Sequence, residues 1–340
     1  MATKIDRTQL LAALQQFAAA NYGPDSYVPD VQTMESGHAG LTFGFEITSR
    51  TDNRRLDRFI LRLAPPGVTR KGNTDVYRQA RLLKALRAGG LPVPNVPYSS
   101  PGEELFGTPY IMMEWLPGRT FFIWDPDPAF ERTAAAVTPI WRECAVALAD
   151  LHRFDWRRHL ADWDPPRPLA EEITRWDKIL DKTPDPKTLS AGRNVRDRLL
   201  ATVPSGAPIG LIHGDYQPGN ALYQDGRLTG IIDWELASIG EQTLDLGWLM
   251  MLADPVNWND DWRTIAPLGP EALQAIYEQR IGVPVRNTAW YRALAGYRLG
   301  AISGMNVHLH RTGRRPDPIW EHFALAAPNL FSHAEALLTE

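Results

Sequence analysis

The chain has 340 residues, long for one hydrophobic core, so two lobes are expected. Its 44% hydrophobic and 22% charged residues are those of an ordinary soluble globular protein, and a net charge of -4 argues against nonspecific nucleic-acid binding as the main role, which needs a basic patch for phosphates. The single cysteine, Cys144, excludes an internal disulfide; with neither a signal pattern nor an apolar run of roughly 18 residues, no membrane partner and a cytoplasmic location are expected.

In chain order, residues 6–20 read as an amphipathic helix, with Leu10, Leu11, Leu14 and Phe17 at helical spacing and Gly23-Pro24 to end it. Two strands follow, 31–34 and 41–48, joined by Ser36-Gly37-His38-Ala39-Gly40. That connection can lay backbone N–H groups over phosphates, or be a plain hairpin loop. In a third strand, 59–63, Arg62 shares a face with Ile60. A cation in an apolar strand needs a partner: phosphate is one, and solvent at a sheet edge is the alternative. The next helix, 74–87, carries Tyr77, Leu82, Leu83 and Leu86 and stops at Gly89-Gly90.

After a Pro-rich segment, the strand 110–114 runs into Pro117-Gly118, which reads as the passage between lobes. The expected domains are residues 1–117, a small sheet-containing lobe, and 118–340, a larger lobe. The first holds 13 Lys or Arg against 11 Asp or Glu and the second 23 against 29, a difference too small to name a ligand. Beyond residue 118 the pattern is helical over 129–154, 170–183, 192–201 and several segments from Pro270 onward. Most of the twelve Trp lie here, where helical spacing favours the core and leaves an acceptor-pocket role open. Cys144, among Ala and Leu, reads as a buried thiol.

The most informative stretch is LIHGDYQPGNALY, residues 211–223, followed by IIDWE around Asp233. Phosphoryl transfer needs a carboxylate to orient an acceptor hydroxyl and take its proton, and oxygen ligands for magnesium on the nucleotide phosphates. Asp215 is the candidate base, and Asn220 and Asp233 are the candidate metal ligands. Asp225-Gly226 supplies hairpin turn chemistry between 220–224 and 227–232. In that register Asn220 faces Ile231, and strand alternation would bring Asp233 to the same face.

His213-Gly214-Asp215, with Asn220 five residues after the Asp, resembles the catalytic loop of the aminoglycoside phosphotransferase and choline kinase superfamily, relatives of the protein kinases. The resemblance implies an α+β, bilobal protein-kinase-like fold with a small antiparallel-sheet N-lobe and a larger, mainly helical C-lobe. It also implies ATP or GTP with Mg2+, and transfer to a hydroxyl of a small-molecule acceptor. Asp233-Trp234-Glu235 looks like the counterpart of the kinase DFG segment, and His213 would brace the loop. Gly37, His38, Ala39 and Gly40 would cover the nucleotide and Arg62 would hold its phosphates. Backbone near Glu114, Trp115 and Leu116 would meet the adenine, with Met113 as a wall.

The family's helix Glu that pairs with the strand cation is Gln79 here, so a substitute carboxylate such as Asp75, or a more loosely oriented Arg62, are both open. Arg175-Trp176, the segment from Asp233 to Gly240 and Asp245-Leu246-Gly247 resemble the kinase-like domain of acyl-CoA dehydrogenase family members 10 and 11; Asp245 is read as a structural anchor of the loop. Alternatives that keep the fold are a hydroxyacyl-CoA or hydroxy-acid kinase, for which Arg311, Arg314 and Arg315 are candidate contacts, and a nucleotide-binding pseudokinase without turnover.

Overall fold

A computed structural model describes residues 6–34 and 41–339; Gly37, His38, Ala39 and Gly40 lie outside the described residues. The chain forms two compact units: Met1–Pro117 with Thr229–Leu236, and Gly118–Leu228 with Ala237–Glu340.

The first unit holds α1 (Arg7–Tyr22), β1 (Ser26–Tyr27), β2 (Val31–Thr33), β3 (Leu41–Ser49), β4 (Arg55–Leu63), α2 (Arg78–Ala88), β5 (Tyr98–Ser100) and β6 (Tyr110–Glu114). The strands make an antiparallel sheet in the order β1-β3-β4-β6-β5, with β2 also on β3. Period-2 alternation turns Phe43, Phe45, Phe59 and Leu61 to one face, where Leu10, Leu14 and Phe17 of α1 close a core. The opposite face carries Ile60 and Arg62, and β4 lies inside the sheet, so the solvent-edge alternative for Arg62 is excluded.

Helix α2 starts at Arg78, not Thr74 as expected. Residues Gly72–Thr74 instead make a 3-10 turn, and Asp75 Oδ1 accepts from the Arg78 N–H at 3.2 Å. Thr229–Leu236 is anchored to this unit by the Ile231 N–H, which donates to Pro92 O (2.7 Å), and by Thr229 Oγ1, which donates to Pro117 O (2.6 Å); within the segment Trp234 Nε1 donates to Ile231 O (3.0 Å).

The second unit is mainly helical. It begins with β7 (Arg119–Thr120) and α3 (Ala134–His152), then α4 (Trp156–Leu160), α5 (Leu169–Thr174), α6 (Asp177–Leu180) and α7 (Pro186–Ala201). Strands β8 (Ile209–Ile212), β9 (Ala221–Gln224), β10 (Arg227–Ile231) and β11 (Ser238–Glu241) follow, the last residues of β10 belonging to the first unit. Helices α8 (Thr243–Ala253), α9 (Pro270–Ile281), α10 (Thr288–Arg311) and α11 (Ile319–Leu337) complete the chain.

The helix expected from residue 129 starts at Ala134, because Thr133 Oγ1 caps it by accepting from the Ala136 N–H. The helix expected over 170–183 is two short ones separated at Arg175-Trp176, a break that no Gly or Pro announces. Tyr297 and Phe331, from α10 and α11, pack with Trp176 and Leu180 in one core. Strands β8 and β11 pair antiparallel, Ile212 opposite Ser238, and hold apart a loop on one side and the start of α8 on the other. Cys144 is fully buried in α3, and burial pushes its thiol up to about 12, which leaves it unreactive.

Candidate active site

Asp215 lies on the loop that leaves β8, within the second unit. Its carboxylate is fixed by two side-chain amides: Gln217 Nε2 donates to Oδ1 at 3.0 Å and Asn220 Nδ2 to Oδ2 at 2.9 Å. The same Asn220 amide donates to Asp215 O at 2.8 Å, so the loop closes on itself around the carboxylate. Asn220 ends the 3-10 turn Pro218–Asn220 and does not open a strand. With Nδ2 turned to Asp215, its Oδ1 is the atom suited to a hard cation.

The loop is held from behind. Asp245 on α8 is buried and accepts from the backbone N–H of His213 (2.6 Å) and of Gly214 (2.9 Å). His152 joins this carboxylate through Nε2 at 3.5 Å, and its Nδ1 meets Tyr277 Oη at 2.8 Å. The buried His213 ring accepts the Asp215 N–H at Nδ1 (3.3 Å) and packs edge-on against Tyr216, whose hydroxyl donates to Cys144 O. His213 thus shapes the loop, and Asp245 anchors it through backbone hydrogen bonds.

Within the first unit, Arg62 is 6% exposed and forks between two carboxylates, Asp233 through Nη1 at 3.0 Å and Glu235 through Nη2. The substitute partner is therefore Glu235, not Asp75, whose carboxylate accepts from the Arg78 N–H at the start of α2. Glu235 is the more enclosed of the two, with 12% of its side chain exposed against 26% for Asp233, so Asp233 is the one open to a further ligand. Arg62 Nε is buried without a partner among the described residues, a donor left for an anion. Gln79 is buried and its Nε2 is likewise unpartnered.

The turn Asp225-Gly226 has positive φ at both residues, 52° and 73°, the geometry that a two-residue hairpin requires. Strand alternation nevertheless stops at Ile231. Asp233 lies past the strand in a left-handed conformation (φ 62°), so its direction is set by that residue's backbone and by the Trp234–Ile231 hydrogen bond, not by pleat.

Met113 and Glu114 are the last residues of β6, and Trp115 and Leu116 follow it. The Glu114 N–H already donates to Asn95 O at 2.9 Å. The Trp115 indole lies over Gly44, where a Cβ would strike the ring, and the Arg58 guanidinium stacks on it at 3.3 Å from the ring centroid. Gly44 pairs with Ile60, so this indole covers the sheet face that bears Arg62. A cavity of about 490 Å³ opens among Tyr22, Asp57, Phe59, Arg87 and Glu114. Phe59 faces the α1 core, so that cavity is on the other side of the sheet from Arg62.

Sequence reasoning did not single out Gln217, and it gave Glu235 no role. Arg311, proposed as an acceptor contact, is paired with Glu321 at 2.7 and 2.8 Å, and Arg315 Nη1 donates to Asn306. Among the described residues no group of three or more His, Cys, Asp or Glu could hold a metal alone. The side-chain oxygens of Asn220, in the second unit, and of Asp233, in the first, are each of the hard type that magnesium takes.

Residues 31–299 match the model of a family described as the phosphotransferase enzyme family. The chain is 32% identical over 255 residues to the probable acyl-CoA dehydrogenase IBR3 of Arabidopsis thaliana, covering 70% of this chain and 30% of that protein. It is 26% identical to acyl-CoA dehydrogenase family member 11 of Mus musculus, covering 88% and 39%. The chain thus spans about a third of the length of these relatives. In fold it is similar to a thermostable mutant of aminoglycoside phosphotransferase APH(4)-Ia, solved with ADP and hygromycin B, with a TM-score of 0.62, 15% identity and 96% and 98% of the two chains covered. No described helix is long and apolar enough to cross a membrane.

Proposed function

Because the chain belongs to the phosphotransferase enzyme family, we propose that it is an ATP-dependent O-phosphotransferase acting on a hydroxyl of a small molecule. The observation that carries this reading is the Asp215 carboxylate, pinned by the Gln217 and Asn220 amides on a loop that Asp245 anchors. A carboxylate fixed at both oxygens is oriented before substrate arrives, which is how positioning lowers a barrier. Asp215 orients the acceptor hydroxyl and takes its proton; Asn220 and Asp233 are the oxygen ligands for magnesium; Arg62 faces the nucleotide phosphates. Magnesium, when bound with the nucleotide, neutralises charge on the transferring group. Support for the nucleotide also comes from the fold relative solved with ADP.

Kinship with acyl-CoA dehydrogenase family members favours a hydroxyacyl-CoA or hydroxy-acid acceptor over an aminoglycoside. A screen of hydroxylated metabolites and antibiotics for transfer of labelled γ-phosphate from ATP, with and without magnesium, tests the function. Metal-dependent labelling of an acceptor is expected. Thermal stabilisation by ATP with no acceptor labelled and no slow hydrolysis would favour the scaffold reading instead.

Glu235 takes the part of Arg62's fixed partner. Glu235→Ala leaves Arg62 with Asp233 alone, in competition with the metal. Steady-state kinetics should show kcat/KM for ATP lowered about tenfold, equivalent to ~1.4 kcal/mol, with KM for the acceptor little changed. An unaltered ATP dependence would show that Asp233 suffices.

A further inference from the structure

We infer that the first unit carries a second ligand site, an aromatic-lined cavity on the α1 side of its sheet that takes a small organic ammonium ion paired with Asp57. The site stands apart from the phosphotransferase reading, because it opens on the sheet face opposite Arg62.

At about 490 Å³ the cavity is within the ~300–1,000 Å³ of ordinary small-molecule pockets. Sheet register builds its floor. Phe59 on β4 stands directly opposite Glu114 on β6, so both point to one face, and Asp57, two residues before Phe59, joins them by strand alternation. Tyr98 on β5 pairs with Met112, two residues before Glu114, and turns to the same face. Its ring meets Phe59 at 83° with centroids 6.0 Å apart, so the two rings make walls nearly at right angles. Tyr22, the last residue of α1, adds a third ring, and the exposed Arg87, Asn95 and Pro97 complete the lining.

Charge sets the class of ligand. Glu114 and Arg87 offset each other, with Arg87 Nη2 at 3.7 Å from Glu114 Oε2. Asp57 is left over. Its half-buried carboxylate accepts from the Tyr22 hydroxyl at Oδ2 (2.8 Å) and from the Arg58 backbone N–H at Oδ1 (2.9 Å). Both donors are neutral: burial, and after it the hydrogen bonds with Asp57 and Tyr98, raise the Tyr22 pKa, so that hydroxyl keeps its proton. Among the described residues no cation lies within ion-pair distance of Asp57. A carboxylate beside three aromatic rings is the complement of an alkylammonium, whose charge pairs with the oxygens and is drawn to the ring faces. An anion would be repelled by Asp57 and Glu114, whereas one positive charge brings the lining to neutrality.

Ligand-observed NMR titrations without nucleotide compare n-butylamine with 1-butanol and butyrate, which share its chain and differ in charge; the amine has no hydroxyl, so a phosphate-acceptor site gives it no preference. Wild type should bind the amine about tenfold or more tighter than the alcohol or the acid, the effect of one cation–π and ion-pair contact. Asp57→Asn keeps an acceptor for Tyr22 and removes the charge, and should bring the preference to about one. Tyr22→Phe keeps the charge and should retain the preference. Asp260→Asn, which removes a carboxylate 98% exposed in the second unit, should change nothing. An amine bound no tighter than the alcohol by wild type overturns the proposal, and that result needs no variant to fold. A preference that survives Asp57→Asn, or falls as far in Asp260→Asn, assigns the amine to the acidic surface at large and overturns it too.

Discussion

Asp215→Ala should lower acceptor turnover about 10²- to 10⁴-fold, the range that loss of a general base covers, while ATP affinity stays within about threefold. On the function proposed above the two readouts separate, because Asp215 would contribute a proton acceptor whereas the nucleotide would depend on Arg62 and the metal ligands. One complication is built into the loop: the Asn220 and Gln217 amides both donate to this carboxylate, so alanine also releases them. Asp215→Asn is the control, because it keeps the size of the group and one acceptor oxygen but takes no proton. If the two variants lose turnover alike with ATP binding retained, the missing function is proton transfer. Turnover at wild-type level in Asp215→Asn, measured by γ-phosphate transfer, would remove Asp215 from the chemistry.

The parts of this site that sequence made legible are those encoded locally. Asp215 and Asn220 are five residues apart on one turn, and Asp225-Gly226 announces its own positive φ values. The sheet strands were visible because alternation records a buried face, and Arg62 stood out as a cation in an apolar run. What stayed hidden depends on residues distant in the chain. Glu235 reaches Arg62 across 173 positions, and nothing in the spacing of either residue encodes that pairing. Asp233 was assigned a direction by extending strand alternation two residues too far, past the point where its left-handed backbone takes over. The segment Thr229–Leu236 was read with residues 118–340, yet its hydrogen bonds run to Pro92 and Pro117.

Asp245→Ala should be the most damaging single change to stability, about 3–5 kcal/mol, the cost of breaking a buried charged pair by removing one partner. Its carboxylate accepts from the backbone N–H groups of His213 and Gly214 in this loop, and it faces His152 besides. Burial alone would favour the protonated acid, but the His152 hydrogen bond, the two histidine rings and the His213 N–H outweigh it and hold the carboxyl below the usual range. A carboxyl whose pKa is depressed on folding stabilises the fold fully above its unfolded value, about 3.9, and loses that contribution as pH falls through the folded value. Wild-type stability should therefore drop below about pH 4, and Asp245→Ala should flatten that part of the profile as well as lowering the plateau. Chemical denaturation at pH 7 and across pH 2–5 reads both effects. A loss under about 1 kcal/mol at pH 7, small beside the expected cost of a buried pair, with an unchanged acid limb, would show that the loop is held by the His213 and Asn220 contacts and not by Asp245.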